Sequence, residues 1–388
     1  MKKLLAVTLA LILLSSAALA DSSIFVATDR HHHYETLTVE EPAEAQDAEA
    51  RPEADPPPDG EAPPEGLKRP RKKRYPVYDE NGSLIWHNDL TAILRLAAED
   101  GAAPEFVLLG GDNVGEGSDR SRDETGYPMG APFFSMTAID AQVRAVFGDG
   151  PRTLYTYGSH DINTTDRYED VFFSGPVAGN GYYIYGITFS QMIHDTDRQA
   201  EKYGGKDAAD SRGLSAQTAS HLFLSWVRSL DDHLPIVVMS HVPLHAHRGD
   251  NLGAWTWTKA LNAAAEDHDV IFLWGHNHTT EAKEEDKQLE RAHYLLLPGD
   301  RLTAQTWEPD AEGKAVGSRT RLSEDEKEVR ELVAQTETLR FLYMNAGYIT
   351  NGVGTLITFE DGRIRVKRYA LREEEQTEPF EYELYWNE

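Results

Sequence analysis

The chain has 388 residues, with 65 Asp and Glu against 38 Lys and Arg, a formal net charge of −27 and no cysteine. That charge disfavours a nucleic-acid polyanion as a partner, because a phosphate backbone demands a basic footprint. Without cysteine there are no disulfides and no thiolate metal sites, so imidazole, carboxylate, amide or hydroxyl groups would have to hold any metal.

In chain order, residues 1–20 read as a secretory signal. Lys2 and Lys3 form a positive start, "LLAVTLALILL" is too short to span a bilayer, and "SSAALA" ends in a small-residue cleavage site. The expectation is an exported protein cleaved near Ala20–Asp21, in an extracellular, cell-wall-associated or periplasmic location. No other stretch reaches the ~18 apolar residues of a membrane helix, so no transmembrane segment is expected. Residues 21–388 are expected to form a single domain, and nothing in the pattern speaks to oligomeric state.

The first strand, 23–28 "SIFVAT", runs into "DRHHHYE". The three histidines read as a purification tag, a loose metal-binding tract, or one ligand with two bystanders. Their place directly after an apolar run argues against a tag. Residues 39–66 are acidic and proline-rich without an aromatic residue, and cannot bury enough surface to offset their ordering entropy. With the basic "KRPRKKR" that follows, 39–74 reads as a disordered insertion, acidic and then basic.

Helical spacing over 87–100, 215–230 and 254–267 alternates with the apolar runs 105–110, 152–157, 235–240 and 270–275. Ser215 is a plausible cap for the second helix. This alternation predicts a layered α/β architecture. Residues 302–338 read as a polar surface insertion with a helical end from Ser323. Beyond 339 the pattern is β-rich, and "EDGR" marks a hairpin.

Each apolar run ends in ligand chemistry. Asp29 and His31 follow the first, Asp112 and Asn113 the second, and Ser159, His160 and Asp161 the third. His241 follows the fourth, and His276 and His278 the fifth. Loops at the carboxyl ends of strands converge on one sheet edge, so these clusters are expected to be neighbours in space. Oxygen and imidazole donors of this kind suit a pair of divalent first-row metals.

The ordered set "DRH", "GGDN", "GSHD", "SH" and "GHNH" resembles the calcineurin-like metallophosphoesterase superfamily, over roughly 23–36 and 85–360. The resemblance implies a four-layer α-β-β-α sandwich of two mixed sheets, with a bimetal site at the strand C-terminal ends. It implies a metal-dependent hydrolase of a phosphate mono- or diester, acting by attack of a metal-bridging hydroxide, and with the signal segment the expectation is an exported enzyme. Asp29, His31 and His278 would hold one of two divalent ions, Asp112 would bridge, and His241 and His276 would hold the other with help from Ser159. Mn, Fe, Zn and Ca each suit some version of that set.

By the same resemblance His160 is the general acid and Asp161 orients it. His33 and Asn113 are candidate substrate contacts, and strand alternation turns His32 away. The departure is Ser159, where the superfamily has asparagine. A serine hydroxyl is a shorter and poorer neutral ligand. It opens a second reading, a weak or inactive exported binding protein on a phosphoesterase scaffold. The basic run 68–74 keeps a nuclease as a third, against the charge.

Overall fold

The structure is a computed structural model describing residues 22–29, 36–40, 72–76, 89–113, 132–159, 161, 173–197, 214–245, 253–276, 295–307, 316–317, 332–349, 352–360, 362–373 and 377–385. The chain divides into two compact units, Met1–His31 with Asn88–Glu388, and His32–His87. In chain order the elements are β1 (Ser22–Ala27), β2 (Thr36–Glu40), β3 (Lys72–Pro76), α1 (Asp89–Glu99), β4 (Phe106–Gly110), α2 (Pro132–Phe147) and β5 (Arg152–Thr156). Then come β6 (Gly175–Ala178), β7 (Tyr183–Ile187), α3 (Phe189–Ile193), α4 (Ala216–Val227), β8 (Ile236–Ser240), α5 (Ala254–Ala264) and β9 (Val270–Trp274). The rest is β10 (Leu295–Leu296), β11 (Arg301–Trp307), β12 (Val316–Gly317), β13 (Leu332–Thr338), β14 (Leu342–Asn345), β15 (Val353–Glu360), β16 (Arg363–Ala370) and β17 (Phe380–Glu383).

Two mixed six-stranded sheets dominate the larger unit, ordered β17-β16-β15-β1-β4-β5 and β10-β14-β9-β8-β7-β6. The centre of each is parallel: β1, β4 and β5 in the first, and β7, β8, β9 and β14 in the second. Antiparallel strands complete the edges, including the β15–β16 hairpin, in which Glu360 pairs with Arg363 across a two-residue Asp-Gly loop.

The near-continuous apolar runs follow from burial on both sheet faces. Ile24, Val26, Phe106, Leu108 and Leu154 of the first sheet share one core cluster with Val237, Met239, Ile271, Leu273, Leu342 and Met344 of the second. The intervening positions, such as Phe25, Val107, Val238 and Phe272, belong to a second cluster that holds the apolar faces of the helices. In α1 that face is Leu90, Ile93, Leu94 and Ala97, a helical stripe of fully buried side chains. Ser215 caps α4, its hydroxyl accepting from the Thr218 N–H at 3.2 Å.

Two expectations change in detail. The helical end placed from Ser323 is, over Leu332–Thr338, a strand paired antiparallel along the whole of β11. Val333, Thr336 and Thr338 give the segment β-branched strand formers, which the charged run before it obscured. Most of 39–74 lies outside the described residues, yet Val39 and Glu40 at its start pair with Lys73 and Lys72 at its end. Residues 1–20 also lie outside the described residues.

Candidate metal centre

Strand geometry brings the polar clusters to one place. Asp29 follows β1, Asp112 and Asn113 follow β4, Ser159 and Asp161 follow β5, His241 follows β8, and His276 lies two residues beyond β9. The two sheets meet at these ends. Thr28 donates its N–H to Gly347 O at 3.1 Å, and Ile349 returns one to Thr28 O at 2.9 Å. The Asp29 N–H donates to Gly111 O at 3.0 Å, tying β1 to β4.

The side chains then close the junction. His241 Nε2 lies 3.1 Å from Asp112 Oδ2 and 3.1 Å from His276 Nδ1. Its Nδ1 lies 3.0 Å from the Gly110 carbonyl, which orients the ring. The backbone N–H of His276 donates to Asp29 Oδ2 at 2.8 Å. Ligand atoms of Asp112, His241 and His276 all fall within 4.8 Å of one another, and all three residues are buried.

Local conformation is strained to achieve this. Among the described residues the non-glycines with positive φ are Asp29 (50°), Asp112 (50°) and His276 (67°), all three at this centre. A left-handed conformation costs an L-residue roughly 1–2 kcal/mol, tolerated here because the surrounding contacts over-determine it. Two glycines make room. A Cβ on Gly111 would sit 2.7 Å from the His241 ring, and one on Gly158 would collide with the backbone and carboxylate of Asp112.

The donor set fits a divalent cation: one carboxylate and two imidazoles, desolvated and convergent. The electrostatics agree. Burial works to lower the His241 pKa, but the Asp112 and Asp29 carboxylates outweigh it and push the group up to about 9. The carboxylates therefore draw positive charge into a buried position, where a proton on His241 and a cation would play the same electrostatic part.

Ser159 is half-buried and its hydroxyl lies 3.2 Å from both Asp112 oxygens, donating to that carboxylate. Asp161 is fully buried and accepts from the Asn113 N–H at 3.0 Å, Asn113 Nδ2 at 3.2 Å and the Gly158 N–H at 2.9 Å. It thereby locks the loop after β4 to the loop after β5. Asn113 Nδ2 also donates to Thr156 O at 3.0 Å. Facing two acceptors, the Asn113 amide has only one workable orientation, and its buried Oδ1 is left as an acceptor. His31, His33, His160 and His278 lie outside the described residues.

Sequence reasoning missed Thr28, whose hydroxyl lies 2.6 Å from both Asp29 Oδ2 and the Gly347 carbonyl. A threonine before an aspartate carries no signal of a partner 319 positions away. No family model matches the chain, and no curated protein matches it. Among solved structures, GAP50, the anchor in the inner membrane complex of Plasmodium, is 7% identical with a TM-score of 0.40, over 94% of this chain and 89% of that one. Haemophilus influenzae NAD nucleotidase is 12% identical with a TM-score of 0.32, over 94% of this chain and 56% of that one.

Proposed function

We propose that the chain is an exported, metal-dependent phosphoric ester hydrolase of the calcineurin-like type, on a four-layer α-β-β-α arrangement. The observation that carries this reading is the buried convergence of Asp112, His241 and His276 from strand ends of two sheets. Asp29 lies beside it, and the D-x-H, G-H-x-H and G-S-H-D patterns supply His31, His278 and His160 from the same strand ends. A divalent cation held there supplies Lewis acidity toward phosphoryl oxygens and makes a water more acidic.

The chain's own groups do the rest. Asp29 and Asp112 concentrate the negative charge that holds positive charge at the centre. The Asp161 carboxylate accepts from the Gly158 N–H, and His160, its neighbour in sequence, is the assigned proton donor to the leaving oxygen. Asn113, through Nδ2, ties the loop after β4 to Thr156 O and Asp161.

The second reading, a binding protein that retains metal but not turnover, has one observation in its favour. The Ser159 hydroxyl is spent on Asp112 where the related pattern has an amide oxygen. Reloading metal-stripped protein with Mn, Fe, Zn or Ca, one at a time, and assaying aryl phosphate mono- and diesters separates the two. The enzyme reading expects metal-dependent turnover that Asp112→Asn abolishes, and Ser159→Asn to tighten metal uptake. Bound metal without turnover, restored by Ser159→Asn, supports the binding protein. A chain that takes up no metal overturns both.

A further inference from the structure

The loop 241–245, "HVPLH", carries the candidate ligand His241, and the Ser240 hydroxyl donates to Val242 O at 3.0 Å near its start. Its far end is anchored from β14, two strands away in the sheet order β14-β9-β8. Tyr343 stacks on Phe272 and Trp274 of β9, at centroid separations of 5.6 and 5.7 Å, and so reaches over that strand. Its phenol oxygen takes the Leu244 N–H at 3.0 Å and lies 2.7 Å from His245 Nδ1.

A phenol oxygen has two acceptor sites and one hydrogen. The Leu244 N–H fills one acceptor site, and the 2.7 Å contact with Nδ1 is a hydrogen bond between the two side chains, its donor set by the His245 tautomer. Both residues are fully buried. Burial pushes the Tyr343 pKa well above the usual phenol value, so the phenol keeps its proton. The His245 ring also stands edge-on to Trp274, at 4.9 Å and 80°.

We propose that Tyr343 and His245 are positioning residues for the metal centre, a phenol–imidazole clamp holding the loop that presents His241 to Asp112 and His276. The inference rests on the metal-centre reading above. Partners that orient a ligand without touching the metal typically change affinity 10–100-fold when removed. The test is calorimetric titration of Zn²⁺ into the metal-free full chain, with ¹⁵N NMR of the His245 ring.

Tyr343→Phe keeps the stacked ring, strands the Leu244 N–H and the His245 ring nitrogen, and is expected to weaken Zn²⁺ binding about 10-fold. His245→Asn places an amide where Nδ1 lies and is expected to keep wild-type affinity. His245→Leu removes that partner and should fall to the level of Tyr343→Phe. If Tyr343→Phe does not fold, the His245 pair still decides the matter. Equal loss in His245→Asn and His245→Leu, or a His245 ring resonance that Tyr343→Phe leaves unshifted, overturns the clamp. A wild-type chain that binds no Zn²⁺ overturns the metal-centre reading and the positioning role with it, whereas normal Zn²⁺ binding by Tyr343→Phe removes the positioning role alone.

Discussion

His241 is the residue where opposing effects are most closely matched. A fully buried imidazole ordinarily loses its proton, yet Asp112 at 3.1 Å and the nearby Asp29 reverse the sign. The folded-state pKa of about 9 lies above the ordinary 6.5, so the metal-free protein gains stability from His241 that is complete below pH 6.5. That stability is lost as pH rises from 6.5 through 9, and the shift corresponds to something on the order of 3 kcal/mol. Denaturant unfolding of chelated protein between pH 6.5 and 9.5 should show this decline, and His241→Gln should flatten it. A decline unchanged in the variant would assign it to other groups. The convergence of Asp112, His241 and His276 was legible in the sequence, because each sits just past an apolar run. Thr28 and the Tyr343 phenol were not, because their roles are set by partners distant in sequence.

At the scale of elements, the approach of one strand-end loop to another decides whether the centre can form. Gly111, after β4, has φ +93° and lies against the His241 ring, while Gly101, after α1, has φ +88° with open space around it. Both would strain an alanine similarly, so their difference isolates the contact. Gly101→Ala should cost about 1 kcal/mol, and Gly111→Ala about 1–3 kcal/mol more, by displacing His241. Metal affinity should fall only in the second. Equal costs in thermal unfolding would mean that His241 moves aside freely. Strands β1, β4, β5, β8 and β9 were readable to within a residue because strands buried on both faces leave an unbroken apolar run. β7 was not, since "YIYGI" follows glycines that read as a turn. Nor was α2, where aromatics crowd the first turn of "PFFSMTAIDAQVRAVF" after the turn-like "GYPMGAP".

For the larger unit as a whole, the centre is a junction between sheets. Asp112 comes from the first and His241 and His276 from the second, so a cation held by all three ties together the carboxyl ends of two parallel arrays. The apolar interface around Val26, Leu108, Met239 and Leu273 holds the sheets together without it. A cation therefore adds stability by mass action, about 2.7 kcal/mol at a concentration 100-fold above its dissociation constant. Chelation is expected to lower the melting temperature by several degrees and to speed amide exchange at the ends of β4, β8 and β9, leaving the opposite ends protected. Asp112→Ala should abolish the chelator's effect. Below pH 9 the variant should also melt lower than the chelated wild type, because protonated His241 loses the carboxylate that holds its proton. A chelator effect that survives in Asp112→Ala would show that the stabilising cation is not held at this junction.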